Sequence, residues 1–260
     1  MSTADATRRP EDATSPARRR ERIERLPGLV VELGLVAVFA LAYFGIRALT
    51  QGSVPQAFAN AEALVDLQGR LGIAWEEAIH GVVAGREHLV TLVNWVYIYG
   101  HWPVIVTALV VLYLRAPRRY PLLRNAIFIS GVIGMVVFAL LPMAPPRFGV
   151  LDVVDTVSER SQGYRALQPP SLTNKYAAMP SLHFGWNLLV GIVLWQATRR
   201  PLARAFAVAM PAAMAVAVIA TANHYVLDVA GGAAVALAGY VVARRFPDVL
   251  PVAGRLREAR

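Results

Sequence analysis

Residues 123–141 read LRNAIFISGVIGMVVFALL, and this stretch decides the class of fold. After Arg124 and Asn125 it holds nothing more polar than Ser130, so no side of a helix built from it would be hydrophilic. A helix of roughly 20 such residues crosses the ~30 Å hydrocarbon core of a bilayer, where spanning backbone must satisfy its own hydrogen bonds. Five further apolar runs lie near 28–49, 90–114, 181–198, 202–221 and 224–243. The composition agrees, with 56% hydrophobic and 17% charged residues in 260 positions. The expected fold is all-α: a polytopic membrane protein, a six-transmembrane-helix bundle.

Charge alternates with these runs. Arg8, Arg9, Arg18, Arg19, Arg20, Arg22 and Arg25 precede the first, Arg115, Arg118, Arg119 and Arg124 follow the second, Arg199, Arg200 and Arg204 follow the fourth, and Arg244 and Arg245 follow the sixth. Basic residues favour the cytoplasmic side, which predicts a multi-pass protein of the cell membrane with both termini inside. The net charge of +9 is explained by this placement and by anionic headgroups, with no nucleic-acid partner required. Of the 26 basic residues only Lys175 is a lysine, an arginine bias that suggests a GC-rich bacterial genome. The absence of cysteine excludes disulfides, thiolate metal sites and cysteine nucleophiles.

The expected organisation is a disordered basic cytoplasmic tail over 1–25, a six-span catalytic membrane domain over 26–246, and a cytoplasmic C-terminal tail over 247–260. The first apolar run is full length and lacks a cleavage site, so it reads as an anchor rather than a signal peptide. Between Val54 and His88, apolar residues such as Leu64, Leu67 and Ile79 alternate with Glu62, Asp66, Glu76 and Glu77 at helical spacing. That pattern predicts one or two amphipathic helices on the outer membrane surface. His80 and His88 read as surface residues. The second outer connection, Pro142 to Met179, is long for a compact bundle and reads as a functional loop.

Two short stretches carry candidate chemistry: Met179-Pro180-Ser181-Leu182-His183 opens the fourth run, and Asn223-His224-Tyr225-Val226-Leu227-Asp228 opens the sixth. Pro180 suits a first helical position and Ser181, Thr221 or Asn223 a cap, which predicts each histidine in a first turn, where N–H groups favour anions. One span in and one span out separate His183 from His224, so both face the extracytoplasmic side. Asp228 is four residues beyond His224 and can accept a hydrogen bond from its imidazole. A carboxylate inside a span is costly unless paired and marks function by default, and His224 is its obvious partner. Arg147, Lys175 and Ser181 are the candidate phosphate-binding residues. The expected reaction has His224 attacking phosphorus to form a phosphohistidine while His183 protonates the leaving alkoxide.

Other readings stand beside this one. His183, His224 and Asp228 could ligate a metal, but basic neighbours suit an anion better than a cation, so no metal and no cofactor is expected. The same residues could form the proton relay of a transporter, although transporter sites usually lie near the midplane. Ser181 lacks the Gly-x-Ser-x-Gly elbow of a serine nucleophile. Tyr97, His101 and Tyr225 are candidates for a headgroup pocket, with His101 inside the second span, although interhelical hydrogen bonding is the better explanation of such residues.

Pro180-Ser181-Leu182-His183 followed by His224-x3-Asp228 resembles the type 2 phosphatidic acid phosphatase superfamily, over about 120–143 and 179–232. The resemblance implies six spans, His183 as general acid, His224 as nucleophile, Asp228 as its orienting partner, and no metal. Leu182 stands where the best-known pattern has glycine, Val218 where it has arginine, and the usual lysine–arginine first motif has no counterpart. With Ala144-Pro145-Pro146-Arg147 and His224-Tyr225, these features are more similar to the inositol phosphorylceramide synthase branch. The expected partners are a membrane lipid carrying a phosphate or phosphodiester and an acceptor, either water or a lipid or polyol alcohol.

Overall fold

The computed structural model describes residues 30–43, 45, 53–157 and 174–250. The predicted N-terminal tail, most of the C-terminal tail and the middle of the Pro142–Met179 loop lie outside these residues. The described chain is all-α: α1 (Val30–Tyr43), α2 (Val54–Leu71), α3 (Glu76–Ala84), α4 (Glu87–Tyr99), α5 (Trp102–Arg115), α6 (Tyr120–Leu140), α7 (Leu182–Ala197), α8 (Pro201–Ala220) and α9 (Val226–Arg245). An isolated parallel bridge between Met143 and Ala177 holds the two ends of the long loop together.

Three of these helices, α6, α8 and α9, are long and apolar enough to cross a membrane. The run at 90–114 is a fourth candidate but not one straight helix, since α4 and α5 meet at 45°. The break falls at Gly100 and His101, just ahead of Pro103, whose missing N–H cannot continue the ladder. His101 therefore caps α5 instead of lying inside a continuous span. The runs at 28–49 and 181–198 contribute the shorter apolar helices α1 and α7.

α7 is the hub, packing against α5, α6, α8 and α9. Buried residues on every side, including Trp186, Asn187, Leu189 and Val193, account for its lack of a polar face. α7 and α9 approach so closely near their starts that a Cβ on Gly185 would sit 2.6 Å from the Gly232 carbonyl oxygen. That contact draws the two motif-bearing helix ends together. Toward the other end of the bundle, fully buried Arg124 of α6 is paired with buried Glu32 of α1, and the Tyr120 hydroxyl donates to the same carboxylate at 3.1 Å.

The Val54–His88 segment forms two helices, as its spacing predicts, but polar side chains share its buried face with Ala57, Ala61, Leu64 and Val83. Gln68, Glu76 and His80 are all buried against the bundle. His80 is thus not a surface residue: its Nδ1 donates to the Ala220 carbonyl at 2.9 Å, and its Nε2 accepts from the Val154 N–H at 3.2 Å. His88 is exposed.

Candidate active site

α8 ends in a sharp reversal. Ala222 adopts a left-handed φ of 55°, and the N–H groups of Asn223 and His224 fold back to the Val218 carbonyl at 3.2 and 3.0 Å. His224 consequently precedes the cap of α9, Tyr225, and does not lie in the first turn as its spacing predicts. His183 is the second residue of α7, whose start is capped by Ser181 accepting from the Phe184 N–H at 3.5 Å.

The N-terminus of α9 is already occupied. Asp228 Oδ2 accepts from the Tyr225 N–H at 2.8 Å, Glu76 Oε1 from the Val226 N–H at 2.7 Å, and Gln68 Oε1 from the Leu227 N–H at 2.8 Å. Gln68 Nε2 also donates to Glu76 Oε1 at 2.8 Å, tying the two caps together. The anion that complements the positive end of this helix is therefore Glu76 of the chain itself. Neither Glu76 nor Gln68 stood out in the sequence, because their partners lie 150 and 159 positions away.

A narrow cleft of about 40 Å³ opens between the starts of α7 and α9 and the two ends of the long loop. Its walls bring together His183, His224, Arg147, Lys175 and Tyr97. The two imidazole rings lie 6.0 Å apart, centroid to centroid. His183 is flanked by two further rings, Tyr97 stacked at 4.5 Å and His101 tilted at 4.1 Å, while Asn187 Nδ2 donates to its carbonyl at 2.9 Å. His224 is buried, and its Nδ1 lies 2.7 Å from the Ala178 carbonyl oxygen and 3.5 Å from Asp228 Oδ2. A carbonyl can only accept, so Nδ1 carries the hydrogen and Nε2 the lone pair. Both groups hold the ring, and the backbone carbonyl is the nearer.

Arg147 is positioned from three directions. Its N–H donates to the Ala222 carbonyl at 3.1 Å, its guanidinium donates to Asn223 Oδ1, and its Nε pairs with Asp155 at 3.2 Å. These contacts place a cation beside His224. Lys175 is exposed at the mouth of the cleft. Val218 is fully buried in an apolar cluster, and the fixed guanidinium next to His224 is that of Arg147.

Four of the candidates, Ser181, Tyr225, His101 and Asp228, do not line the cleft. Ser181 is fully buried and serves as the α7 cap. Tyr225 is fully buried, its hydroxyl donating to the Ala144 carbonyl at 3.0 Å; burial first, then Asp228 and Glu76, push its phenol well above the ordinary value and keep it a donor. His101 lies behind His183 and touches it without lining the cavity. Asp228 is also buried behind the wall, acting on His224 from the helix side. Among the described residues no group of three or more His, Asp or Glu side chains is disposed to hold a metal ion.

The cleft thus gathers two histidines and two cationic side chains at one end of a bundle of apolar helices. Its sequence places it further: the model of the PAP2 superfamily matches residues 62–242, and the chain belongs to that superfamily. Members are typically phosphatases or phosphotransferases and act on phosphorylated lipids. No match was found among curated proteins or among solved structures.

Proposed function

We propose that this chain is an integral enzyme of the cell membrane that removes or transfers the phosphate of a lipid through a phosphohistidine on His224. The observation that carries the reading is the 2.7 Å bond from His224 Nδ1 to the Ala178 carbonyl, which leaves Nε2 as the nucleophilic nitrogen in a cleft lined by Arg147 and Lys175. Nε2 attacks phosphorus, and the P–O bond to the lipid alkoxide breaks. His183, across the cleft, gives its proton to that alkoxide. An incoming water or alcohol then loses a proton to His183 and attacks the phosphohistidine, which returns His224 to its starting state. Arg147 binds the phosphate oxygens as charge develops on them, and Lys175 adds a second positive charge at the mouth.

Six spans with both termini cytoplasmic and the cleft extracytoplasmic fit the arginines, because Arg115, Arg119, Arg200 and Arg245 all lie at helix ends away from the cleft. Transfer of a phospho-headgroup between lipids, as in inositol phosphorylceramide synthases, is the second reading; it is favoured by Leu182 and Val218 at the two positions where the phosphatase pattern has glycine and arginine.

The test is a rapid alkaline quench of purified enzyme with a radiolabelled lipid phosphate. Wild type should carry acid-labile label and His224→Ala none. Label retained by His224→Ala would overturn the phosphohistidine, and activity lost on adding a chelator would point to a metal enzyme. Separating the products formed with water alone and with added polyol or lipid alcohols assigns hydrolysis or transfer.

A further inference from the structure

At the far end of α7 from His183, a second, open cavity of about 430 Å³ is lined by Arg119, Arg199 and Arg204 together with Trp195, Gln196 and Thr198. None of its lining residues is acidic. The arginines are held by neutral groups: Arg119 Nη1 donates to Gln196 Oε1 at 3.0 Å, and Arg204 Nε donates to the Thr198 carbonyl at 3.0 Å. The Arg204 guanidinium also lies 4.6 Å from the centre of the Trp195 ring. Gln196 is fixed in turn by donating to the Tyr240 hydroxyl at 2.8 Å. Each hydrogen bond uses one of the five N–H donors of its guanidinium, and among the described residues no carboxylate pairs with Arg119, Arg199 or Arg204. Arg119 and Arg204 are thereby pre-positioned, and among the described residues no carboxylate offsets the three charges.

Trp195 and Gln196 also belong to the wall of an open apolar groove of about 460 Å³ between α7 and α8. Phe184, Leu188 and Ile192 line one side of the groove, and Val208, Pro211 and Ala212 the other. From Phe184 to Trp195 it runs roughly 16 Å at the helical rise, about the depth of one leaflet of a ~30 Å hydrocarbon core. A cationic cavity opening into an apolar channel of one leaflet's depth matches a molecule with a negative head and an acyl chain. From this geometry we infer that the α7–α8 surface binds one anionic phospholipid, its phosphate among Arg119, Arg199 and Arg204 and a chain along the groove. This site is distinct from the catalytic cleft and does not depend on the reaction proposed there. A free phosphate would leave the groove empty, and a zwitterionic lipid would bring a choline or amine against three guanidinium groups.

The test is native mass spectrometry of the full-length protein exchanged into mixtures of phosphatidylglycerol and phosphatidylcholine. Wild type should retain phosphatidylglycerol by about ten-fold or more, given roughly 1 kcal/mol per basic residue near anionic lipid. R119Q/R199Q/R204Q should bring the ratio close to one, with Arg199→Gln alone giving a smaller shift if the triple variant does not fold. Ala212→Trp, which fills the groove, should lower phosphatidylglycerol retention with the arginines intact. An equal ratio in wild type or a ratio unchanged in the triple variant would overturn the site. Two further outcomes would also overturn it: displacement of the lipid by inorganic phosphate, which would indicate a free-anion site, and loss of the preference in Arg147→Ala but not in the triple variant, which would assign the lipid to the catalytic cleft.

Discussion

The Ala178 carbonyl oxygen lies 2.7 Å from His224 Nδ1, closer than the Asp228 carboxylate at 3.5 Å. The imidazole is thus oriented by a neutral backbone group from the loop before α7 and by a buried carboxyl group from α9. In the reaction we propose, the carbonyl fixes the tautomer and Asp228 offsets positive character on the ring as Nε2 bonds to phosphorus.

This division of labour predicts a graded result for Asp228→Asn. The amide oxygen still accepts from the Tyr225 N–H, so the protein should fold and insert, and the Ala178 carbonyl still sets the tautomer. Turnover should fall on the order of 10- to 100-fold, the usual cost of losing a group that orients a reacting one, while His224→Ala falls to background. Assay of phosphate release and lipid products checks both, and an Asp228→Asn rate within two-fold of wild type would remove Asp228 from the mechanism.

Glu76 and Gln68 act on the same helix from the other side. Glu76→Ala leaves the part-buried Val226 N–H without its acceptor, which should cost about 1 kcal/mol of stability. It should also lower activity although Glu76 touches no cleft wall, since the start of α9 carries His224 and Asp228. Glu76→Gln keeps an acceptor oxygen and should recover most of the loss. Thermal unfolding in detergent, read alongside turnover, measures the two effects.

What the sequence made readable follows the range of each interaction. The run at 123–141 became α6, and the separation of four between His224 and Asp228 placed their side chains within contact distance, because both depend on neighbouring residues. The capping of Val226 by Glu76 and the burial of His80 against Ala220 depend on chain segments 150 and 140 positions apart, and an amphipathic pattern reports which residues share a face without naming what that face meets. The bend at Gly100 and His101 had a local signal in Gly100 and Pro103, outweighed by the length of the surrounding apolar run. Ser181 and Tyr225 have the chemistry of a binding site, but capping and the bond to Ala144 absorb it.

Arg147→Lys tests whether fixed geometry or charge alone matters. Lysine keeps the charge but cannot contact Asn223 and Asp155 with one planar group as the guanidinium does. KM for a lipid phosphate should rise and kcat should fall together, each by several-fold, because a point charge neither chelates the ground-state phosphate nor follows it into the transition state. If KM alone changed, Arg147 would be a binding group with no part in the chemical step.

His183 stands between the rings of Tyr97 and His101, at 4.5 and 4.1 Å. A general acid must hold its ring in line with the leaving oxygen, and an aromatic face on either side restricts rotation about the side-chain bonds. Such ring contacts contribute about 0.5–1.5 kcal/mol each, so Tyr97→Leu should cost roughly 2- to 10-fold in kcat, whereas Tyr97→Phe, which keeps the ring, should stay near wild type. The comparison separates stacking from a polar role of the hydroxyl: equal losses in the two variants would mean that the phenol oxygen carries the effect. A substrate whose leaving group needs no proton, such as a nitrophenyl phosphate ester, should be turned over by Tyr97→Leu at nearly the wild-type rate, because the step that His183 assists is then no longer limiting.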